Sequence, residues 1–520
     1  MTWEKEVKEI KKREKLSLNH GGEDAVTLQH KKGRKTLRER LDIILDKDSF
    51  NEVGKIAGNP EYDEKGDLID FTPANFLLGF GKINERQIVI GGEDFTLKGG
   101  SPNPAGLRKS IYTEELALQY EIPLVRLHEG GGGSVAGAGG TAKKPTIPSG
   151  DAVFSKNRFQ TLAECLGKIP VATAALGPVA GLPAARLVAS HFSVMTKNSQ
   201  VLIAGPAVVK RALGIDITKE DLGGSEIHLK SGVVDNLADN EEDALNQIKV
   251  FLSYLPDNYA QLPPRIKAND KKERIEEELL NIIPKDRRKT YNIRKVLSLI
   301  LDINSFFEYG RQYGPSLITG LARINGDTVA IIANDCMIYA GAMTSDASMK
   351  LRKFIDFVNT FNIPVLSFVD EPGFMIGPDS EKAGTIRHGT SAISSLMQSK
   401  VAWASIIIRK VFGVAGAAHF APDGYVLSWP SSETGTLPVE GGVAIAFKKE
   451  IEESVNPEKK RKELEESLAQ RSSPFPRAEN FSVHELIDPR ETRLKLINWL
   501  ELVIKTRKAN SEVFKTSMLP

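Results

Sequence analysis

Cysteine is almost missing from the 520-residue sequence, which contains only Cys165 and Cys336, each inside an apolar run. Two such thiols exclude a disulfide framework and a zinc site, so we expect both to be small core residues. Neither sign of charge dominates, because 69 basic and 67 acidic side chains leave a net charge of +2. This balance argues against a nucleic-acid binder or a membrane-surface protein and favours small molecules or other proteins as partners.

Long apolar runs are missing as well. No stretch approaches the roughly 18 uninterrupted apolar residues of a membrane span, and the N-terminus opens with charged residues instead of an apolar signal segment. We therefore expect a cytoplasmic protein without membrane insertion. The length of 520 residues exceeds the roughly 250 to 300 residues of a single core, so two domains are expected.

Several catalytic motifs are not found in the sequence. No Walker-type phosphate loop is present, since Gly167-Lys168 is followed by Ile169, and no Gly-x-Ser-x-Gly elbow occurs. Four histidines have no His or Cys partner at metal spacing, so we predict hydrogen-bonded structural residues and no metal site. They are His191, His228, His388 and His419.

The two halves of the sequence repeat one plan. A shift of 241 residues (324 minus 83, from Ile83 and Ile324) superposes a series of matching residues. These pairs are Gly79 with Gly320, Asn84 with Asn325, Asp94 with Asp335, Gly100 with Gly341, Ile122-Pro123 with Ile363-Pro364, and Glu129 to Gly132 with Asp370 to Gly373. We predict two domains, residues 1–265 and 266–520, connected through the weakly hydrophobic stretch from about 256 to 289, which we expect to hold a short exposed helix.

Each half alternates β-branched apolar runs with helical stretches. Such alternation predicts an α/β fold with buried strands and crossover helices. The predicted strands are residues 87–91, 169–175, 328–333, 365–369 and 404–408. Segments 3–15 and 457–469 are rich in Lys and Glu at i,i+4 spacing and predict exposed helices.

Glycine is concentrated directly after one predicted strand. Residues 130–140 contain seven glycines in eleven positions, so this backbone can approach a ligand closely. The pattern Gly131-x-Gly133-x-x-Ala136 also fits a loose dinucleotide fingerprint, with Asp151 about twenty residues on. No helix is predicted over residues 139–154, although such a fingerprint must open one. A surface loop is the other interpretation.

Two further glycine turns are paired by the duplication. They are Ala180-Gly181-Leu182-Pro183-Ala184 and Phe412-Gly413-Val414-Ala415-Gly416, each after an apolar strand and before a helix of small residues. Turns of this kind present backbone N–H groups that stabilise a developing oxyanion without a side-chain nucleophile. The arrangement suits a reaction that joins two similar carbonyl compounds.

Further segments fill the sequence around these turns. They are Asp94-Phe95-Thr96, Gly99-Gly100-Ser101, Gly205-Pro206, Leu222 to Ser225, Ser231-Gly232-Val233, Leu252 to Pro256, Asn334, Phe368-Val369-Asp370, Pro372-Gly373-Phe374, Ile386 to Gly389 and Arg409-Lys410. With them, the sequence resembles the carboxyltransferase β subunit of biotin-dependent acyl-CoA carboxylases, the family of propionyl-CoA, acetyl-CoA and methylcrotonyl-CoA carboxylases. The resemblance runs from about Lys31 to Arg493.

The resemblance implies two tandem crotonase-like (ClpP/crotonase) domains in a homohexamer, with active sites between the N-domain of one subunit and the C-domain of another. The implied reaction moves the carboxyl group of carboxybiotin to the α-carbon of an acyl-CoA. Biotin would arrive on a separate carrier protein charged by a separate biotin carboxylase, because the chain shows neither an ATP-grasp-like region nor a biotinylation site. Met349-Lys350-Leu351 lies in a predicted helix instead.

Site residues follow from the resemblance by position. Gly181 and Leu182 would hold the thioester oxygen, and Val414 and Ala415 the ureido oxygen of biotin. The residues implied in substrate binding are Gly131, Gly132, Gly133, Gly100, Gly373, Phe374, Arg387 and Ala417.

The sequence departs from the family pattern at both turns. Where the family has Gly-Gly-Ala, this chain has Gly181-Leu182-Pro183 and Gly413-Val414-Ala415, and Ala417 replaces an aspartate of some members. Two alternatives stay open. One is the carboxyltransferase subunit of a biotin-dependent acyl-CoA decarboxylase, and the other is a non-catalytic scaffold subunit.

Overall fold

A computed structural model of the protein describes residues 2–132, 158–268, 270–471 and 473–513. The chain divides into two compact units that meet between Tyr259 and Ala260. Each unit is built around one eight-stranded sheet. The predicted boundary between residues 265 and 266 stays a prediction.

The sheet of the first unit is mixed. Its path follows β1-β4-β5-β6-β7-β8-β10, with β9 beside β7, while β2 and β3 form a separate hairpin. From β5 onward the neighbours are parallel. The strands are β1 (Asn51–Glu52), β2 (Gly58–Tyr62), β3 (Leu68–Pro73), β4 (Phe76–Ile83), β5 (Arg86–Glu93), β6 (Leu124–Gly130), β7 (Val171–Ala180), β8 (Phe192–Thr196), β9 (Gln200–Leu202) and β10 (Asn236–Ala238).

Helices of the first unit begin and end at recognisable signals. Thr36 and Glu39 form a capping box, and Asn103 caps the helix that opens with Pro104. Cys165 lies in the core with β5, β6 and β7. The helices are Glu4–Leu16, Glu23–Lys31, Leu37–Ile44, Pro104–Tyr120, Arg158–Lys168, Leu182–Val188, Pro206–Leu213, Lys219–Gly223, Ser225–His228 and Glu241–Ser253, with 3-10 helices Ser17–Asn19 and Lys98–Gly100.

The second unit repeats this sheet in the order β11-β12-β13-β14-β15-β16-β18, with β17 beside β15. Its strands are β11 (Phe307–Tyr309), β12 (Leu317–Ile324), β13 (Asp327–Asn334), β14 (Val365–Glu371), β15 (Trp403–Phe412), β16 (Tyr425–Ser428), β17 (Glu433–Gly435) and β18 (Glu485–Leu486). Cys336 lies in its core, as predicted.

Helices flank the second sheet and fill out the unit. They are Ile293–Ile300, Ser345–Thr360, Pro378–Lys382, Thr385–Met397, Val439–Ala446, Lys448–Glu452, Pro457–Arg471, Pro474–Glu479 and Thr492–Thr506, with 3-10 helices Glu277–Leu280, Tyr339–Gly341, Val414–His419 and Pro489–Glu491. A short exposed helix was expected in the stretch 256–289. In the described part of this stretch, the structure has only the 3-10 helix Glu277–Leu280. Prolines and charged residues leave few apolar positions there to bury. No helix in the described ranges is long and apolar enough to cross a membrane.

The duplication is visible in the geometry. The bounds of β4, β5 and β6 all reappear in β12, β13 and β14 with the shift of 241 residues, for example 124 to 365 and 130 to 371. A supporting contact is repeated too. Lys109 Nζ donates to Gly54 O at 3.2 Å, and Lys350 Nζ donates to Gly310 O at 2.8 Å. The two units therefore share local structure as well as sequence.

Candidate active site

The first predicted turn follows directly on β7. Gly181 has φ 65° and ψ −127°, a conformation that suits glycine, and the helix Leu182–Val188 begins after it. Its N–H donates to Leu202 O at 3.2 Å. Leu202 ends β9, the short strand that pairs with the second half of β7. The amide of Gly181 is thus already used to fasten the turn to β9.

Leu182 contributes the second backbone donor of this turn. It is the first residue of the helix, where the N–H has no intrahelical acceptor, and none of the described residues accepts it. Pro183 follows and has no N–H to donate. Of the two predicted residues, Gly181 shapes the turn and Leu182 offers the available N–H.

The glycine loop after β6 lies against this turn. A Cβ on Gly132, whose φ is 72°, would lie 2.6 Å from Ala180 O, and a Cβ on Gly100 would lie 2.5 Å from Glu129 O. Only glycine fits such close approaches. The structure therefore brings Gly100, Gly131 and Gly132 together with Gly181, whereas Gly133 lies outside the described residues.

The second turn has the same construction. Gly413, with φ 64° and ψ −164°, follows β15, and its N–H donates to Gly435 O at 3.3 Å. Gly435 ends β17, which pairs with β15 as β9 pairs with β7. The 3-10 helix Val414–His419 begins after Gly413, so the N–H groups of Val414 and Ala415 have no acceptor in the described chain.

The two turns differ in the number of donors. A shift of 232 residues (413 minus 181) places Leu182 on Val414 and Pro183 on Ala415. Where the second turn has the N–H of Ala415, the first has a proline nitrogen without hydrogen. The N–H of Gly132, which has no acceptor among the described residues, lies beside the first turn.

The other predicted residues of the second unit follow β14 or lie on the helix Thr385–Met397 and the 3-10 helix Val414–His419. A Cβ on Gly373 would be 3.8 Å from Phe412 O, so Gly373 lies beside the end of β15. The ring of Phe374 packs on Gly389, where an added Cβ would be 2.2 Å from Phe374 Cε1. Arg387 is exposed on the helix Thr385–Met397, and Ala417 is exposed on the 3-10 helix Val414–His419.

A buried polar network supports the second turn, and the sequence analysis missed it. Glu371 accepts hydrogen bonds from the N–H of Gly373 at 2.9 Å and from Asn334 Nδ2 at 3.0 Å. His419 Nε2 lies 3.4 Å from Glu371 Oε2, and both side chains are fully buried. Since His419 ends the 3-10 helix, Glu371 ties that helix to Gly373. Under the shift of 241 residues, Glu371 corresponds to Gly130, which has no side chain, so the sequence comparison gave no sign of this role.

Each unit also has a buried carboxylate near the end of a central strand, Glu129 in β6 and Asp370 in β14. Asp370 pairs with Arg409 at 2.9 Å, and Glu129, its counterpart under the shift of 241, pairs with Arg34 at 3.0 Å and Arg40 at 2.7 Å. Burial raises the pKa of Glu129, although the two arginines act in the opposite direction. These pairs fix the ends of β14 and β6 next to the loops.

Three of the four predicted histidines, His191, His228 and His419, have hydrogen bonds within the fold. His191 Nδ1 accepts from the N–H of Val171 at 3.0 Å, and His228 Nε2 donates to Val201 O at 2.6 Å. No group of three His, Cys, Asp or Glu residues in the described ranges could hold a metal ion.

Comparisons with known proteins agree with this geometry. The chain is 32% identical over 523 residues to "Propionyl-CoA carboxylase, carboxyltransferase subunit" of Haloferax mediterranei, covering 98% of each chain. It is 31% identical over 509 residues to "Methylmalonyl-CoA decarboxylase subunit alpha" of Veillonella parvula, covering 95% of this chain and 97% of the relative.

A solved structure of transcarboxylase 12S, described as a hexamer assembly with methylmalonyl-coenzyme A and methylmalonic acid bound, covers 100% of both chains. Its TM-score is 0.86 at 29% identity, which confirms the predicted tandem crotonase-like α/β fold. A family model described as the carboxyl transferase domain matches residues 28–516. The chain belongs to the carboxyl transferase domain family and is an acyl-CoA carboxyltransferase.

Proposed function

We propose that the protein is the carboxyltransferase component of an acyl-CoA carboxylase. It moves the carboxyl group of carboxybiotin to the α-carbon of an acyl-CoA, with biotin on a separate carrier protein and a separate biotin carboxylase to charge it. The observation that carries this proposal is the pair of matching turns. In each, a glycine N–H is bonded to a side strand while the next N–H has no acceptor among the described residues.

The first turn holds the thioester oxygen. Gly181 sets the backbone so that Leu182 presents its N–H, and we assign the N–H of Gly132 as the second donor because Pro183 has none. Two N–H groups aimed at one oxygen stabilise the enolate that forms when the α-carbon loses its proton. Gly131 and Gly100 line the CoA side, and the assignment of Gly133, which lies outside the described residues, rests on the sequence alone.

The second turn holds the ureido oxygen of biotin through the N–H groups of Val414 and Ala415. When bound, carboxylated biotin supplies carbon dioxide, and its ureido nitrogen accepts the α-proton. The residues here act by position and charge, since a pair of backbone donors favours the negative charge that the ureido oxygen gains. Gly373, Phe374, Arg387 and Ala417 line this side of the site.

The protein acts as an oligomer with the biotin-bearing proteins as partners. A transcarboxylase 12S structure at 29% identity is described as a hexamer assembly, which supports a homohexamer here. No metal takes part in the proposed reaction at this subunit. The cytoplasmic location also stays a prediction from the sequence.

The first experiment measures consumption of malonyl-CoA and methylmalonyl-CoA by the purified protein, with biocytin as the carboxyl acceptor and mass spectrometry as the readout. We expect loss of substrate and formation of the shorter acyl-CoA only when biocytin is present. Substrate loss without dependence on biocytin would refute biotin as the acceptor. Acyl-CoA binding without any turnover would instead support a non-catalytic scaffold subunit.

A decarboxylase subunit is the second candidate, because one relative at 31% identity is a methylmalonyl-CoA decarboxylase subunit alpha. Both functions use the same turns and the same reaction in opposite directions. The partner separates them. Affinity purification of the chain from its own cells would recover a biotin carboxylase in the first case and a membrane-embedded decarboxylase in the second.

A further inference from the structure

The glycine loops of the two units differ in the use of one backbone donor. The shift of 241 residues places Gly132 on Gly373. The N–H of Gly132 has no acceptor among the described residues, whereas the N–H of Gly373 donates to Glu371 Oε1 at 2.9 Å. Glu371 corresponds to Gly130, which has no side chain, so the first loop has no such acceptor of its own.

The carboxyl group of Glu371 is held in one position. It is fully buried, and its Oε2 accepts from Asn334 Nδ2 at 3.0 Å. Asn334 is itself fixed through both atoms of its amide, since Nδ2 donates to Gly341 O at 3.1 Å and Oδ1 accepts from the N–H of Asp370 at 3.0 Å. A ligand that took the N–H of Gly373 would leave a buried carboxyl oxygen unpaired, which is unfavourable.

The same carboxyl group also contacts the helix of the second turn through His419. Both side chains are fully buried, and His419 Nε2 lies 3.4 Å from Glu371 Oε2. The other ring nitrogen, Nδ1, lies 2.9 Å from Ser367 Oγ. His419 is the last residue of the 3-10 helix that begins at Val414. The shift of 232 residues places it on Leu187, whose side chain has no polar atom, so the first unit lacks this connection.

The two sites therefore offer different pairs of donors. In the first, the N–H groups without an acceptor in the described ranges belong to Leu182 in the turn and Gly132 in the loop. In the second, both belong to the turn, at Val414 and Ala415, because Glu371 already binds the loop donor. Each residue has only one backbone N–H, so an oxygen bound in the second site is drawn to the start of the 3-10 helix and away from the loop.

We propose that Glu371 is a positioning residue for the biotin side of the site. It withholds the N–H of Gly373 from the ligand, and through His419 it fixes the 3-10 helix that presents the N–H groups of Val414 and Ala415. This inference rests on the proposed function, in which these two groups hold the ureido oxygen. Because Glu371 is fully buried, it acts through its neighbours and does not touch biotin. Loss of its side chain therefore weakens the use of biotin and leaves acyl-CoA binding at the first turn unchanged.

The test separates the two substrates of the reaction. Turnover is measured at saturating malonyl-CoA with biocytin varied, and the Kd of malonyl-CoA is measured by calorimetry without biocytin. We expect Glu371→Val to lower kcat/KM for biocytin about tenfold or more, because misplaced backbone donors lose part of the roughly 10²- to 10³-fold that one donor contributes. The Kd of malonyl-CoA should stay unchanged, a split that a general loss of structure would not produce.

Two further variants complete the set, each checked by thermal unfolding. Glu371→Gln retains an oxygen that can accept from the N–H of Gly373 and should restore most of the lost kcat/KM. Asp356→Ala removes a buried carboxylate of the same unit whose partner is Ser395 on a neighbouring helix, and it is the matched control. This control should leave kcat/KM for biocytin unchanged.

A second measurement needs no variant and holds even if Glu371→Val fails to fold. Hydrogen exchange of single amides is read by mass spectrometry with electron-transfer fragmentation. In the wild-type protein, the N–H of Gly373 should exchange slowly before biocytin is added, because it is bonded and buried. The N–H of Val414 should exchange fast alone and slowly with biocytin. Fast exchange at Gly373 without biocytin would overturn the inference.

The outcomes distinguish this inference from the proposed function. Biocytin-dependent turnover that Glu371→Val leaves intact removes the inference alone, as does an equal loss in Glu371→Val and Glu371→Gln or a parallel loss of malonyl-CoA binding. A wild-type protein without biocytin-dependent turnover removes the proposed function. Hydrogen exchange then decides the inference, since protection of Val414 by biocytin beside an already protected Gly373 supports it, and absence of either protection overturns it.

Discussion

Replacing Val414 with proline removes one backbone donor of the second turn and leaves the hydrogen bonds of the fold in place. The N–H of Val414 has no acceptor among the described residues, and Val414 is the first residue of its 3-10 helix, a position that accepts proline. The preceding Gly413 has ψ −164°, an extended value compatible with a following proline. The side chain is 64% exposed, so little packing is lost.

The expected magnitude follows from this geometry. Loss of one oxyanion donor raises a barrier by about 2.7 to 4 kcal/mol, which lowers kcat about 10²- to 10³-fold. The free energy of unfolding should change by about 0.5 kcal/mol or less, as for other surface substitutions. Val414→Ala retains the N–H and serves as the control for the lost side chain, with kcat close to that of the wild-type protein.

The assay is steady-state turnover of malonyl-CoA with biocytin, combined with thermal unfolding of each variant. A kcat for Val414→Pro equal to that of Val414→Ala would refute the role of this N–H. A large fall in Tm for Val414→Pro alone would show that proline disturbs the fold, and the kinetic loss would then not report on catalysis.

Three further predictions concern buried groups. Arg409→Met leaves Asp370 buried without its partner and should cost about 3 to 5 kcal/mol, seen as a lower midpoint in urea unfolding; an unchanged midpoint would contradict it. Burial raises the pKa of Cys165 to about 12 and also raises that of Cys336. A thiol reagent at about pH 8 should therefore label neither cysteine until denaturant is added. Rapid labelling of the native protein would contradict this prediction. Burial raises the pKa of Asp94, but its hydrogen bonds, the strongest from a histidine, bring the pKa below its ordinary value. Asp94 therefore stabilises the protein above about pH 4 and loses this effect as the pH falls through its folded pKa. The difference in Tm between the wild-type protein and Asp94→Asn should be present at neutral pH and disappear in acid. A difference in Tm that does not change with pH would contradict this prediction.

Much of the fold could be predicted because a single shift in residue number aligns the two halves of the sequence. The matches of Gly79 with Gly320 and of Gly100 with Gly341 follow one shift, and the strands between them keep that shift in the structure. Strand type was also predictable, since apolar β-branched runs without alternation indicate strands buried on both faces. The predicted run at residues 404–408 lies within β15.

The hydrogen bonds of the turns could not be predicted. The acceptors of Gly181 and Gly413 are Leu202 and Gly435, which end strands of only three residues. Strands of three residues are too short to show a periodic pattern in the sequence, and their pairing with β7 and β15 depends on contacts between residues far apart in the sequence. The availability of each N–H at the candidate site therefore required the structure.

A buried set of charged side chains in the first unit also escaped the sequence analysis; it consists of Glu93, Glu114, Arg126, His128 and Arg186. Arg126 and His128 interrupt an apolar strand, where single charges are easily taken as exposed positions of an alternating pattern. Glu114 is on a helix whose Arg108 and Glu115 are exposed, so a further charged residue there is easily taken for another solvent-facing one. Only the packing of that helix on β6 shows that these side chains meet each other and exclude water.

The fastening of Gly181 and Gly413 to neighbouring strands has a consequence for how the site can change over generations. Donor and acceptor are both main-chain atoms, so most substitutions at Leu182 or Val414 alter the surroundings of the proposed oxygen site and leave the N–H where it is. Proline is the one amino acid that deletes such a donor, and Pro183 occupies that position in the first copy. The side chains of the two turns can therefore change independently of each other, while the backbone structure of the turn is kept in both halves.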